Sequence, residues 1–292
     1  MESSRAKVFR ARLAGPAPAK LEKRLTKRVF KLEKRLTKRV GKLDRRLAGL
    51  ESQVRKEQPS KARKSAKWTY NADGMATVHL SPFLEDATFS TLYEEMAAEW
   101  FQHTRIEARW RVWLLTRFAR SCQALDGSFA EFGTYRGGCA FMTLALTEVE
   151  LFYLFDTFEG IPGDRLTDYE QRMAGKLSDT SVEYIQQRLS RWTGRYELRP
   201  GDVFETLPQT ETGPLSFVHM DLNAAAPTGL ALEYAYPRLV AGGMMVFDDY
   251  GWLEYSDQRT VIEEFLSQHP DEVIALPTGQ GLLVKSGSTA ST

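Results

Sequence analysis

The chain has 292 residues, 42% hydrophobic and 26% charged, with a formal net charge of +1, which is room for one α/β domain and an appendage. Two cysteines, Cys122 and Cys139, exclude a disulfide framework, and no run of about 18 apolar residues is present to span a bilayer. Met1-Glu-Ser-Ser-Arg opens no apolar stretch of signal-peptide length, so the expectation is a soluble, cytoplasmic protein in a reducing compartment.

The small net charge hides a segregation. Residues 1–67 hold 23 Lys+Arg against 6 Asp+Glu, and residues 68–292 hold 16 against 32. A basic arm of +17 therefore precedes an acidic body of −16. Within the arm, Leu21-Glu-Lys-Arg-Leu-Thr-Lys-Arg-Val-Phe-Lys recurs from Leu32 with a period of 11, placing Leu21, Leu25, Val29, Leu32, Leu36, Val40, Leu43 and Leu47 on one narrow helical seam. Eleven residues in three turns is about 3.67 per turn, which favours a slightly right-handed supercoil. Like-charged pairs such as Lys23/Lys27 and Arg24/Arg28 each cost roughly 0.2–0.5 kcal/mol, so the helix needs a partner. A homo-oligomeric coiled coil over residues 1–57 is the first expectation. An anionic membrane surface, which would make the protein peripheral, comes second, then an acidic protein, with nucleic acid last. Gln58 to Lys67 reads as a linker, leaving residues 68–292 as the folded body.

In the body, residues 86–125 carry Leu92, Met96, Trp100, Trp110, Trp113, Leu114 and Phe118 at helical spacing, as a core-facing or lid stripe does. His103 has no metal-spaced neighbour and reads as an ordinary histidine. A buried strand then ends in Glu131-Phe-Gly133-Thr-Tyr135-Arg-Gly137-Gly138, and a helix begins at Cys139. Glycines at this junction let backbone approach a ligand, as in dinucleotide-binding turns. A carboxylate there would repel a pyrophosphate, so the turn suits a ligand with a positive end, for which S-adenosylmethionine is the obvious candidate.

The next strand, Leu151 to Asp156, ends in an acid 25 residues beyond Glu131, where ribose hydroxyls are commonly bound. Residues 163–195 suit a mobile lid and a helix over Val182–Arg191. Tyr196-Glu-Leu-Arg-Pro-Gly201-Asp202 reads as a third strand and a turn, with Asp202 placed to face an adenine amino group. Leu215 to Asp221 is a fourth strand and Gly242 to Asp249 a fifth. In an open parallel sheet, acids at these strand ends would converge on one crevice.

Taken together, Glu131-Phe-Gly-Thr-Tyr-Arg-Gly-Gly, Phe155-Asp-Thr-Phe-Glu-Gly-Ile-Pro, Gly201-Asp-Val-Phe-Glu-Thr-Leu-Pro, Phe217-Val-His-Met-Asp-Leu-Asn and Gly242-Gly-Met-Met-Val-Phe-Asp-Asp-Tyr resemble the macrocin O-methyltransferase family over roughly residues 105–285. The resemblance implies a Rossmann-like class I methyltransferase sheet with flanking helices, S-adenosylmethionine as donor, and magnesium or another divalent cation. It also implies a sugar hydroxyl of a glycan or glycosylated metabolite as acceptor. It places cofactor contacts on Glu131, Gly133, Tyr135, Gly137, Asp156 and Asp202, metal ligands on Asp221, Asp248 and Asp249, and catalysis on Asp221 and the position of Asn223. The family pattern there has a second acid, a proposed general base, where this chain has the Asn223 amide. That departure keeps open a cofactor-binding scaffold recruited to a glycan-assembly complex or membrane by its basic arm, and a catechol-type O-methyltransferase, which also uses a metal and a similar fold, is a further alternative.

Overall fold

The computed structural model describes Lys27, residues 68–100 and residues 107–287. The expected coiled coil, the 58–67 linker and His103 therefore lie outside the described residues, except for Lys27. The chain divides into Met1–Ala66 and Lys67–Thr292, and all that follows concerns the second unit. Among the described residues no helix is long and apolar enough to cross a membrane.

The unit opens with an antiparallel hairpin, β1 (Tyr70–Ala72) and β2 (Met75–Thr77). Asp73 and Gly74 form its turn with φ of 49° and 71°, the left-handed pair that two-residue hairpins need and that Asp-Gly supplies cheaply. The stretch expected to be helical over 86–125 contains two helices, α1 (Ala87–Trp100) and α2 (Arg109–Cys122). Asp86 starts the first by accepting the Phe89 N–H at 2.9 Å. Met96 and Trp113 of the expected stripe are core, with Phe89 packed edge-on against Trp113 at 4.9 Å and Phe83, just before α1, against Trp110 at 5.3 Å, whereas Trp100 lines a cavity.

Alternating elements then build the sheet: β3 (Ser128–Phe132), α3 (Gly138–Leu146), β4 (Phe152–Asp156), α4 (Val182–Arg188), β5 (Tyr196–Pro200), α5 (Val203–Thr206), β6 (Leu215–Met220), α6 (Ala225–Ala235), β7 (Leu239–Phe247), α7 (Ser256–Leu266), β8 (Val273–Ala275) and β9 (Gly281–Val284). The helix expected to reach Arg191 ends at Arg188 and is followed by a separate 3-10 turn, Ser190–Trp192. Strand order is β5-β4-β3-β6-β7-β9-β8. The first five are parallel, while β9 runs antiparallel to β7 and to β8. Together they form a mixed, Rossmann-like sheet with flanking helices.

Burial on both faces explains the near-continuous apolar runs of the central strands. On β3, β4 and β6, Phe129, Phe152, Leu154 and Phe217 join one core with α1, α2 and α3, while Ala130, Phe132, Phe155, Val218 and Met220 join the other with α6 and α7. Register keeps the carboxyl ends level. Glu131 lies beside Leu154 on one side and His219 on the other, and Met220 lies beside Phe247. The ladder continues one residue past the strands, through Asp221 N–H to Phe132 C=O at 2.8 Å and Asp248 N–H to Met220 C=O at 3.0 Å. Glu131, Asp156, Asp221 and Asp248 consequently share one rim.

Phe217 is fully buried on the central strand β6, and Phe217→Ala is predicted to cost roughly 3–5 kcal/mol. Urea unfolding checks this: the midpoint should fall with an unchanged slope, and a loss below about 1 kcal/mol would be inconsistent with the packing described.

Candidate active site

At the β3–α3 junction, Gly133 takes a φ of +91°, and a Cβ there would fall 1.9 Å from the backbone oxygen of Asp221. The turn therefore rests backbone on backbone against the end of β6. Gly137, at φ +69°, forms the left-handed N-cap of α3, a conformation that costs a residue with a Cβ about 1–2 kcal/mol. Between them Tyr135 donates its N–H to Asp156 Oδ2 at 2.7 Å and its hydroxyl to Asp179 Oδ1 at 2.7 Å. Asp156 Oδ1 accepts the Phe158 N–H at 2.7 Å. The acid at the end of β4 is thus oriented by two amides, with lone pairs left over for a ligand.

A cavity of about 440 Å³ opens over this rim, and its wall includes Glu131, Gly133, Tyr135, Asp156, Asp202, Asp221, Asn223, Asp248 and Asp249. Its size suits a small-molecule site. Of the residues singled out by sequence, Gly137 alone stays out of the wall and acts through α3. Asp202 caps α5 by accepting the Phe204 N–H at 3.0 Å, and pairs with Arg165 at 3.0 Å. The segment after β4 contributes Arg165, Leu166 and Leu177 to the wall. It is fastened by Glu170, which accepts the Ala225 N–H at 2.7 Å, and by Arg172, which donates to the Glu254 C=O at 2.7 Å.

A row of buried charges runs beneath the cavity. Glu131 Oε1 lies 2.9 Å from His219 Nδ1, while its Oε2 is buried without a partner. His219 Nε2 stands 3.6 Å from Asp248 Oδ1, an ion-pair distance longer than a hydrogen bond. Asp248 Oδ1 accepts from Gln280 at 2.9 Å and Oδ2 from Arg111 Nη1 at 2.7 Å. Arg111 in turn donates from Nε and Nη2 to Asp73 at 2.7 and 3.1 Å.

These contacts set the protonation states. Burial alone would lower the pKa of His219, but its two carboxylate neighbours outweigh that and raise it to about 10, so the imidazolium donates to Glu131. Burial pushes Glu131 up, against the pull of His219 and, more weakly, of the neighbouring Thr134 hydroxyl, which stays outside ordinary hydrogen-bond geometry to Oε2. For Asp248, burial is overcome by the charge of Arg111 and then by His219, which hold it below the usual carboxylate range. Burial and then the charge of Asp248 raise Asp221 to about 7. Burial, followed by Asp221 and Asp248, raises Asp249 well above the usual range.

Two groups are tested by this wall. An unpartnered buried carboxylate oxygen and a turn with no room for a Cβ fit a cofactor with a positive end. Hard carboxylate oxygens that repel one another fit a divalent cation. His219, Asp221 and Asp248 bring ligand atoms within 4.8 Å of one another, and Asp249 stands outside that group. Asn223, at φ +56°, donates its amide to Asp221 Oδ1 at 3.1 Å. Sequence reasoning missed His219, Arg111, Asp73 and Gln280. The usable signals were the Asp-Gly turn and the alternation that puts His219 on the same face of β6 as Phe217.

Residues 103–273 match the macrocin-O-methyltransferase (TylF) family. The chain belongs to this family. Over 172 residues it is 26% identical to the mycinamicin III 3''-O-methyltransferase of Micromonospora griseorubida, covering 52% of this chain and 66% of that one. Over 141 residues it is 29% identical to the 8-demethyl-8-(2,3-dimethoxy-alpha-L-rhamnosyl)-tetracenomycin-C 4'-O-methyltransferase of Streptomyces olivaceus, covering 43% and 54%. The chain thus spans about half to two thirds of the length of these curated relatives. Among solved structures it resembles the O-methyltransferase NovP (TM-score 0.56, 21% identity, 63% of this chain and 83% of that one) and the calicheamicin methyltransferase CalS11 (0.53, 21%, 70% and 94%). Both likenesses show the fold alone.

Because the folded-state pKa of His219 is raised from 6.5 to about 10, its contribution to stability is complete below about pH 6.5 and is lost as pH rises through about 10. Urea midpoints measured across that window should decline in the wild type and decline less in His219→Gln. Parallel declines would contradict a charged His219.

Proposed function

We propose that the chain transfers the methyl group of S-adenosylmethionine to a sugar hydroxyl of a glycan or glycosylated metabolite, assisted by a divalent cation. The observation that carries this reading is the buried, unpartnered Oε2 of Glu131 in a cavity rimmed by carboxylates at the carboxyl edge of the sheet. Family membership supports methyl transfer, and the tetracenomycin relative is named for an acceptor bearing a rhamnosyl group.

In the transfer, a carbon–oxygen bond forms as the carbon–sulfur bond breaks, the sulfur leaves as a neutral thioether, and the acceptor loses its hydroxyl proton. The protein's work is alignment and charge placement. Glu131 would meet the positive end of the cofactor, and Asp156, held by Tyr135 and Phe158, would accept from its ribose hydroxyls. Asp202, as a helix cap paired with Arg165, borders the adenine end. Asp221, Asp248 and Asp249 would hold the cation, which when bound supplies the Lewis acidity that makes a sugar hydroxyl a competent nucleophile. Asn223 cannot take a proton. It orients Asp221 and the acceptor, and the proton leaves to water or to another carboxylate of the rim.

Incubating the full chain with methyl-labelled S-adenosylmethionine, magnesium and separate panels of glycosides and catechols tests the reading. Label is expected on a glycoside, falling at least about tenfold in excess chelator. Label on catechols alone would favour a catechol-type enzyme, and cofactor binding without transfer to any acceptor would favour a scaffold. Asp248→Asn should lower cation affinity and rate together. Asn223→Asp should raise the rate, by up to about 100-fold where proton removal limits turnover, and a lower rate would assign the amide a positioning role that an acid cannot fill.

A further inference from the structure

The β1–β2 hairpin precedes the residues that match the family, yet its turn reaches the carboxylate rim. Asp73 grips one edge of the Arg111 guanidinium through Nε and Nη2, and the remaining Nη1 donates to Asp248 Oδ2. Both side chains are largely buried, with 8% of Asp73 and 17% of Arg111 exposed. Trp252 closes the arrangement: its ring stands 3.4 Å from where Gly74 would carry a Cβ, and the guanidinium carbon lies 5.6 Å from its centroid. Hairpin turn, tryptophan and arginine thus hold one another in place.

Each oxygen of Asp248 already has a hydrogen-bond donor in this arrangement. Its Oδ2 takes Arg111, its Oδ1 takes Gln280, and His219 faces it as well. A divalent cation drawn to the rim by Asp221 and Asp249 would have to share Asp248 with a guanidinium, against the repulsion of like charges at low effective dielectric.

We infer that Arg111, oriented by Asp73, is a resident counter-cation of the rim and sets how tightly a divalent cation binds there. The inference rests on the reading of Asp221, Asp248 and Asp249 as the cation's ligands. It makes Arg111 and Asp73 positioning residues with opposite effects. Removing the arginine's charge frees Asp248 and relieves repulsion, which strengthens cation binding. Removing the charge of Asp73 leaves Arg111 less neutralised and takes one negative charge away from the rim, which weakens it. A clamp that merely held the fold together would weaken binding in both variants.

Manganese is the probe, titrated into the full chain with the free ion followed by electron paramagnetic resonance. Arg111→Met is expected to bind it about tenfold more tightly than the wild type, Asp73→Asn at least about threefold more weakly, and Arg111→Lys, which keeps the charge, close to wild type. Affinity for S-adenosylmethionine and the melting temperature report that each variant is folded. If Arg111→Met does not fold, Arg111→Gln, which also removes the charge, takes its place in the titration with the same expected direction. Equal or weaker binding by folded Arg111→Met, or tighter binding by Asp73→Asn, overturns the counter-cation role alone. Failure of the wild type and every variant to bind manganese overturns the ligand reading and this role with it.

Discussion

Charge buried at the edge of a sheet that is covered on both faces must be compensated, because an unpaired ion in such a place costs several kcal/mol. Here Glu131 and Asp248, on the ends of different strands, are joined by the imidazolium of His219 between them. Arg111 extends the row to Asp73. Signs alternate along it from the β3–α3 turn to the β1–β2 hairpin, so that elements far apart in sequence are bound to one electrostatic arrangement. Compensation is incomplete at both places where the cavity opens. Glu131 keeps an unpartnered oxygen, and Asp221 and Asp249 are raised by burial and by their neighbours. A site built this way calls for positive charge from outside.

The backbone makes the arrangement possible. With no Cβ at Gly133, the turn after β3 rests directly on the Asp221 carbonyl, bringing that turn and the acid after β6 within one cavity. Level register across β4, β3, β6 and β7 then fixes the acids along the rim. The aromatic core of α1 and α2 supports the same face of the sheet to which Glu131 and His219 belong, and α2 carries Arg111 into the site. Core packing and site chemistry thus meet on the same helices.

Much of this was legible in the sequence, and the reasons are local. Strands β4, β6 and β7 are apolar runs that end in an acid or run directly into one, and a strand-end acid is visible without knowing what lies beside it. The glycine turn and Asp156 are similarly short-range signals. What could not be read depends on pairing across the chain. His219 looks like one more residue of a buried strand until β3 is placed beside β6. Arg111 sits in a helix rich in arginine and aromatics, where nothing local distinguishes it from a surface charge. Asp73 belongs to a hairpin whose Asp-Gly turn was present as a signal but whose partner is 38 positions away. The antiparallel β8–β9 hairpin, which delivers Gln280 to Asp248, was hidden for the same reason. Asp202 illustrates a different limit: its position was anticipated, but a carboxylate before a short helix is also a cap, and Phe204 and Arg165 occupy it as one.

We propose that the buried carboxylate of Glu131 selects a ligand by its positive charge. Calorimetry on the full chain, comparing S-adenosylmethionine with its analogue lacking the amino group, measures that most directly. The wild type should prefer S-adenosylmethionine, which alone of the two carries the ammonium, by about tenfold or more, as expected for a charge-assisted hydrogen bond, and folded Glu131→Gln should lose most of that preference. Equal binding of the two ligands by the wild type, or an undiminished preference in the variant, would contradict the account.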